Sequence, residues 1–450
     1  MNQIEKKVLE KITPSPGYKK KIDRIVNEIN GLIKKEIKKR NLQVTTELVG
    51  SIAKDTYLKD DLDIDFFLKF PTRYQKERIG ESAISIGRAI LKDTKESYAE
   101  HPYIRGFYKE CKVEIVPCYK IENASQKLSA VDRTPLHTKY VKKNLPESKK
   151  IDVRLFKQFL KGIGCYGAEA EIEGFSGYLC EILIIKYESF NNLIKNVQKW
   201  RVGEKLALLK VNYPSFNTPL TFIDPVDTKR NVASAVSKEK FDVFINASKE
   251  YLKKPLLTFF FPNKIKPWSI QKIKEELDKQ NFQFVGIKIK KPDIIPENLY
   301  PQVRKAARSI EDICVRYDFS IFDVPFYVGD DNIYIIIKSK KEPLSKTKIH
   351  TGPPLKLKEN ASNFIKKWRD DTRVIQKPYE KNGRLYIEIK REYTQIQHLL
   401  INQIDNLSLG KSIDKIVKKK YTILEIKDLL KENLEAFWTE YLDGKMPWER

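Results

Sequence analysis

Between Gln43 and Phe70 the hydrophobic pattern changes its period twice. Gln43–Val49 is rich in β-branched residues and predicts a strand. Gly50-Ser51 breaks it, and Ile52–Tyr57 fits the first turns of a helix. Leu62–Leu68 then alternates, with Ile64, Phe66 and Leu68 on one face and Asp63 and Asp65 on the other. Upstream, Ile22, Ile25, Ile29, Ile33 and Ile37 recur at helical spacing. They predict a helix from a Ser15-Pro16 start to Asn41, after a short basic helix over 2–12. Downstream, Glu77–Thr94 predicts a helix and Tyr103–Tyr108 and Lys112–Cys118 predict strands. Residues 1–120 therefore read as a mixed α/β unit with a small sheet.

The next stretch is helical. Residues 129–140 predict a turn and a helix start at Thr134-Pro135, and 151–164 a helix with Val153, Phe156, Phe159 and Leu160 on its apolar face. Residues 174–187 are apolar almost all round behind Ser176, which marks a buried helix. A strand running into a polar turn (219–232) and a helix (238–252) complete this part. From 255 the pattern changes again. Strands are predicted at Thr258–Phe261 and Phe282–Ile289, a helix at 298–317, and a hairpin over Ile321–Lys338 about Asp330-Asp331-Asn332. Residues 338–358 read as a basic loop, and Asn382-Gly383 as the tight turn of a hairpin between Val374–Tyr379 and Arg384–Ile389. Residues 394–450 read as helical.

A length of 450 residues exceeds one core and predicts two to four domains. The net charge of +25 points to a polyanionic partner, nucleic acid before an anionic membrane. No apolar run approaches the roughly 20 residues of a membrane span, and MNQIEKKVLEK lacks a signal peptide's apolar core. The expected location is the cytoplasm. The 5 cysteines form no C-x-x-C pair and the 4 histidines are scattered, so reduced thiols are expected rather than zinc.

Two carboxylates side by side on a strand face repel each other; the common remedy is a divalent cation, and a hard cation takes oxygen ligands. Gly50 permits close backbone approach, and Ser51 brings a hydroxyl and an N–H for a phosphate. A phosphate cradle beside metal-binding carboxylates means phosphoryl or nucleotidyl transfer. An isolated D-x-D is more often a solvated acidic turn; the Gly-Ser and the strand–turn–strand spacing favour chemistry. This arrangement resembles the DNA polymerase β-like nucleotidyltransferases, which require a third carboxylate on a neighbouring strand. Glu114 in KVEIVPC supplies it.

The wider chain is similar to the archaeal-type (class I) CCA-adding enzymes. The resemblance rests on GS ending at 51, DLDIDFF (61–67), VEIVPCY (113–119), DRTPLH (132–137), CYGAE (165–169), GFSGYLCE (174–181), DPVDTKRNVA (224–233), KPDIIPENLYPQVR (291–304) and GPPLKLKENASNF (352–364). It implies a multidomain α/β and α+β chain. A polymerase β-like head (1–141) precedes a mainly helical neck (142–257), a body (258–318 and 386–450) and a tail (319–385). It implies template-free addition of C, C and A to the tRNA 3′ end from CTP and ATP, with pyrophosphate released by two-metal catalysis. The partners it implies are the acceptor end and TΨC arm of tRNA, and it admits a homodimer. Asp63, Asp65 and Glu114 match the metal carboxylates. Ser51 and Lys54 match positions that hold the nucleotide. His137, Lys157 and Tyr166 match triphosphate or sugar contacts, and Arg230 the arginine that reads the base. The chain departs from the family in carrying Asp63 where members tend to have Glu, Glu114 where they tend to have Asp, and Lys54 for an arginine, which keeps charge and loses the fork.

Taken singly, these residues have plainer explanations: Lys157 a solvated helix lysine, His137 a surface histidine, Arg230 an ion pair with Asp227. Two other functions fit parts of the pattern. A poly(A) or oligoadenylate polymerase shares the catalytic strands without needing 291–304 and 352–364. A non-catalytic RNA-binding protein on this fold would usually have lost a carboxylate, and all three are present.

Overall fold

The structure, a computed structural model, describes residues 1–98, 100–210 and 212–450. The chain divides into two compact units, Met1–Lys264 with Lys445–Arg450, and Ile265–Gly444.

The first unit opens with α1 (Gln3–Ile12) and α2 (Pro16–Lys39). Ser15 caps α2 by accepting from the Tyr18 N–H, with Pro16 at the first helical position. The five isoleucines of α2 are buried against a sheet of β1 (Thr45–Val49), β2 (Asp63–Phe70), β3 (Lys92–Tyr98), β4 (Pro102–Tyr108) and β5 (Cys111–Tyr119). Between β1 and β2 lies a single turn, α3 (Gly50–Ala53); between β2 and β3 lies α4 (Lys76–Ile90). The sheet order is β1-β2-β5-β4-β3, antiparallel except for the central β2-β5 pair.

Two sequence expectations change here. The helix expected at Ile52–Tyr57 is the single turn α3, which starts two residues earlier at Gly50 and ends at Ala53. The helix expected to reach Thr94 stops at Ile90, and Lys92–Tyr98 is an exposed edge strand. Its run of charges suits an edge, where charged side chains block further pairing.

A second layer of the same unit holds α5 (Thr134–Asn144), α6 (Lys150–Gly162), α7 (Gly177–Tyr187), α8 (Phe190–Val197), the short strands β6 (Glu204–Leu206) and β7 (Leu220–Phe222), and α9 (Lys238–Lys253). Phe156, Phe159, Phe175, Phe190, Phe244 and Tyr251 interlock at its centre in mostly edge-to-face contacts. The strand expected at Thr258–Phe261 is a 3-10 turn, Leu257–Phe259, whose Phe259 and Phe260 cap this aromatic core. Trp448 packs on Phe259 and donates from its ring nitrogen to Glu250.

The second unit comprises α10 (Ile270–Gln280), β8 (Phe282–Lys290), α11 (Pro296–Arg316), β9 (Ile321–Asp323), β10 (Phe326–Val328) and β11 (Asn332–Lys340). It continues with β12 (Thr347–Pro354), α12 (Lys358–Trp368), β13 (Val374–Lys381), β14 (Arg384–Lys390), α13 (Ile396–Gln403), α14 (Lys411–Val417), β15 (Thr422–Glu425), α15 (Ile426–Leu429) and α16 (Glu435–Asp443). One sheet has the order β10-β11-β8-β15 with β9 against β11; the other is β12-β14-β13. The expected tail of 319–385 therefore divides: β9, β10 and β11 pair into the sheet of β8, and only β12 onwards forms a sheet of its own. The basic 338–358 stretch is half strand, because β12 pairs with β14. The expected all-helical 394–450 contains β15, which pairs with β8. Among the described residues no helix is long and apolar enough to cross a membrane.

Candidate active site

The central parallel pair positions the acidic residues. β2 and β5 run in register with Asp65 opposite Glu114 and Asp63 opposite Lys112. Gly50 lies against this pair at φ +72, and a Cβ there would sit 2.0 Å from Asp65 Oδ2. A side chain at Gly50 would displace the carboxylate, which accounts for glycine here.

Ser51, Asp63, Asp65, Glu114, Lys157 and Tyr166 line one cleft of about 410 Å³, together with Asp61, Lys161 and Glu169. Burial pushes the Asp65 carboxyl up to about 7, and the charges of Glu114 and Asp63 add to it. Burial raises Glu114 as well, against the pull of Arg105 and Lys112. Lys112 Nζ lies 3.0 Å from Asp63 Oδ1 and Arg105 Nε 3.5 Å from Glu114 Oε1. With two carboxylates turned to these cations, no three potential ligands converge on one metal position among the described residues. The donor set still fits a hard cation: three carboxylates on adjacent strands face one cleft, and one of them is driven toward protonation by burial and then by the other two.

The basic residues fall into two groups. Lys54 and Lys157 are buried around Glu181, which is fully enclosed and is the one acid of the mostly apolar α7. Lys54 Nζ donates to Glu181 Oε2 at 2.6 Å, Thr56 Oγ1 donates to Glu181 Oε1 at 2.6 Å, and Lys157 Nζ stands 3.7 Å from Glu181 Oε1. Lys157 also donates to the Thr56 carbonyl. Burial acts to raise the Glu181 carboxyl, but the two lysines and two hydrogen bonds outweigh it and hold it below its ordinary value. Lys157 is therefore no solvated helix lysine. Lys54, unlike Lys157, does not line the acidic cleft.

His137 and Arg230 stand apart from that cleft, gathered on Asp224. Arg230 Nη1 and His137 Nε2 lie 3.0 and 2.9 Å from Asp224 Oδ2, and the Tyr178 hydroxyl donates to Oδ1. His137 stacks on Tyr178 at 4.0 Å between ring centroids. Burial lowers His137, so at neutral pH its neutral ring donates to the carboxylate. Burial alone would raise Asp224; these hydrogen bonds and the Arg230 charge hold it at about 2. Arg230 is not paired with Asp227, which is held by Lys127 and Arg133. Glu181, Asp224, Tyr178 and Thr56 were not singled out from the sequence. Only Glu181 leaves a signal there, as the one acid within an apolar helix.

Residues 32–137 match the family model for a nucleotidyltransferase domain. Residues 151–261 match that for the second domain of tRNA nucleotidyltransferases, and 280–426 that for the C-terminal domain of CCA-adding enzymes. Fold and site together define a nucleotidyltransferase with a polymerase β-like catalytic sheet, a class that uses divalent metal ions. The chain is 35% identical over 422 residues to the CCA-adding enzyme of Methanosarcina acetivorans, covering 93% of this chain and 92% of that one. It is 37% identical over 414 residues to that of Picrophilus torridus (91% and 93%) and 35% over 434 to that of Methanocaldococcus jannaschii (92% and 94%). The chain belongs to the CCA-adding enzymes.

Proposed function

We propose that this CCA-adding tRNA nucleotidyltransferase performs its chemistry in the cleft of Asp63, Asp65 and Glu114, with Mg²⁺ as the metal. The reading rests on one observation above all: Asp65 stands opposite Glu114 on the parallel β2–β5 pair, and both line one cleft with Asp63, a grouping of carboxylates that calls for a cation. Asp63, Asp65 and Glu114 would hold the ions once Lys112 and Arg105 yield their partners. Bound there, Mg²⁺ would lower the pKa of the attacking hydroxyl and take up charge on the departing pyrophosphate.

The protein's own groups do the rest. The tRNA 3′-oxygen forms a bond to the α-phosphorus of CTP or ATP, and the bond to pyrophosphate breaks. Ser51, in the turn after β1, and Lys157, beneath the cleft, flank the triphosphate. Tyr166 covers the sugar side, its phenol kept neutral by burial. Lys54 adds positive potential from behind, since its charge is felt at both Asp65 and His137. Arg230, oriented by Asp224, presents a fork of N–H donors and no acceptor to the base edge. C offers O2 and N3 as acceptors and A offers N1, whereas U and G present an N–H at the corresponding ring position.

The domain reading follows the sheets: a head of 1–141, a neck of 142–264 joined by 445–450, a body around the β8–β11–β15 sheet, and a tail narrowed to 347–390. The tail is assigned to tRNA binding.

The test is incubation with tRNA lacking CCA and each labelled nucleotide in turn. The expected result is C, C, then A and no further extension, with Mg²⁺ required. A homopolymeric A tail would instead favour a poly(A)-type polymerase.

A further inference from the structure

The catalytic sheet face carries a second concavity beyond the acidic cleft. On β2, Asp65, Phe67 and Lys69 point the same way, and on β5 so do Glu114, Val116 and Cys118. Val49, Phe67, Val116 and Cys118 form an apolar patch there. Past it opens a groove of about 490 Å³ lined by Lys69, Lys120, Lys139, Lys142 and Lys143. At about 3.3 Å per residue, Lys69 lies about 13 Å along the strand from Asp65.

The groove is electrostatically unfinished. Its acids are largely spent within the protein. Both oxygens of the buried Asp132 are occupied, Oδ1 by the Tyr119 N–H and the Ser129 hydroxyl, Oδ2 by the N–H groups of Leu128 and Ser129. Glu47 is paired with Lys69. Glu122 remains at the rim. Lys120, Lys139, Lys142 and Lys143 are exposed, and none forms an ion pair among the described residues. Lys139 stands three and four residues before Lys142 and Lys143, so all three share a face of α5, where like charges repel. The helix C-terminus accounts for Lys142 and Lys143. It does not account for Lys139 one turn earlier, nor for Lys120 at the end of β5.

We infer that this groove binds the phosphodiester backbone of the RNA substrate, as a contact separate from the nucleotide cleft. The inference rests on the tRNA reading above for the identity of the polyanion. Lysines holding phosphates position the chain and read no sequence. The groove therefore contributes affinity and salt dependence, and leaves nucleotide choice to Arg230.

The experiment compares the full-length protein with Lys139→Ala/Lys142→Ala/Lys143→Ala and with a control, Lys34→Ala/Lys35→Ala/Lys38→Ala on the exposed side of α2. Wild-type extension of tRNA lacking CCA is measured first; its failure overturns the tRNA reading, and this inference with it. Affinity for that tRNA is then followed across about 50 to 200 mM salt. For the groove variant the log–log slope should shallow by about 2 to 3, and low-salt affinity should fall about 10- to 100-fold. The KM for CTP and kcat at saturating tRNA should stay within about twofold, and the control should match wild type. If the triple variant does not fold, Lys120→Gln/Lys139→Gln, which keeps the helix-terminal lysines, should lose about 1.5 in slope. Wild-type slope and affinity in a folded groove variant overturn the inference. So does a raised KM for CTP with the RNA slope unchanged, which would assign the groove to free nucleotide phosphates.

Discussion

Glu181 Oε2 lies 2.6 Å from Lys54 Nζ, with both side chains buried. A carboxylate from the helical layer thus neutralises a cation from the turn beside the catalytic strands, and its other oxygen faces Lys157. Removing one partner of such a set strands buried charge. Glu181→Gln should lower stability by about 3 kcal/mol, on the order of 10 °C in Tm. The Glu181 carboxyl is held below its ordinary value, so its stabilisation is complete above pH 4.5 and is lost as pH falls through the lower, folded value. The Tm gap between wild type and Glu181→Gln should therefore be full at pH 7, hold down to about pH 4.5 and shrink only below it. A gap independent of pH would show that the ionised carboxylate is not what stabilises the contact.

Asp65 has the opposite sign. Its folded carboxyl titrates near 7 against 3.8 unfolded, so the folded protein loses stability as pH rises between those values. Without metal, wild-type Tm should fall between pH 5 and 8, while Asp65→Asn stays flatter and exceeds wild type at pH 8. Saturating Mg²⁺ should raise the wild-type Tm and leave Asp65→Asn nearly unmoved. Nucleotide addition by Asp65→Asn should be abolished. Thermal melts with and without Mg²⁺, beside an extension assay, read all three.

Base choice should depend on Asp224 as much as on Arg230. Arg230→Ala should cut use of CTP and ATP and narrow their advantage over UTP by one to two decades, since an unpaired donor costs about 1–3 kcal/mol. Arg230→Lys should rescue it poorly, because the fork is lost. Asp224→Asn should reproduce much of the loss by releasing the guanidinium, whereas Asp227→Asn should not. Incorporation efficiencies for all four nucleotides decide this.

Gly50→Ala should be more harmful than its size suggests. The φ of +72 costs an alanine about 1–2 kcal/mol, and its methyl would collide with the Asp65 carboxylate. The expected outcome is at least a 100-fold fall in kcat with a modest fall in Tm, separable by extension assay and thermal melt.

The parts legible in the sequence are those whose signal is local. Alternation put Asp63 and Asp65 on one strand face, five isoleucines marked α2, and Asn382-Gly383 marked a hairpin whose two turn residues both have positive φ. Lys92–Tyr98 hid because an exposed edge strand carries charges in place of an apolar face. β15 hid because four residues carry too little pattern and owe their conformation to pairing with β8. In the site, the family resemblance pointed to Ser51, Asp63, Asp65, Glu114, Lys157 and Tyr166, which line one cleft, and to Lys54, His137 and Arg230, which do not. Glu181 left only the hint of a lone acid in an apolar run, and Asp224 left none, because their roles exist only once α7 and the loop after β7 have been packed against distant partners. The sequence neighbour of Arg230 expected to pair with it, Asp227, lost to Asp224, which is fully buried and so gains more from a cation.

Trp448 closes the aromatic core of the first unit, and its carbonyl accepts from Thr258, 190 residues earlier. Asn263 likewise donates to the carbonyl of Arg450. The second unit is thus spliced into the first between two neighbouring points of chain. On a ribosome this imposes an order of assembly. The helical layer beneath the catalytic sheet waits for its last tryptophan until the whole second unit has been synthesised. A stalled or clipped chain that stops before Trp448 would carry every catalytic side chain and still leave Phe259 without its stacking partner. Such a product would expose aromatic surface far from the cleft.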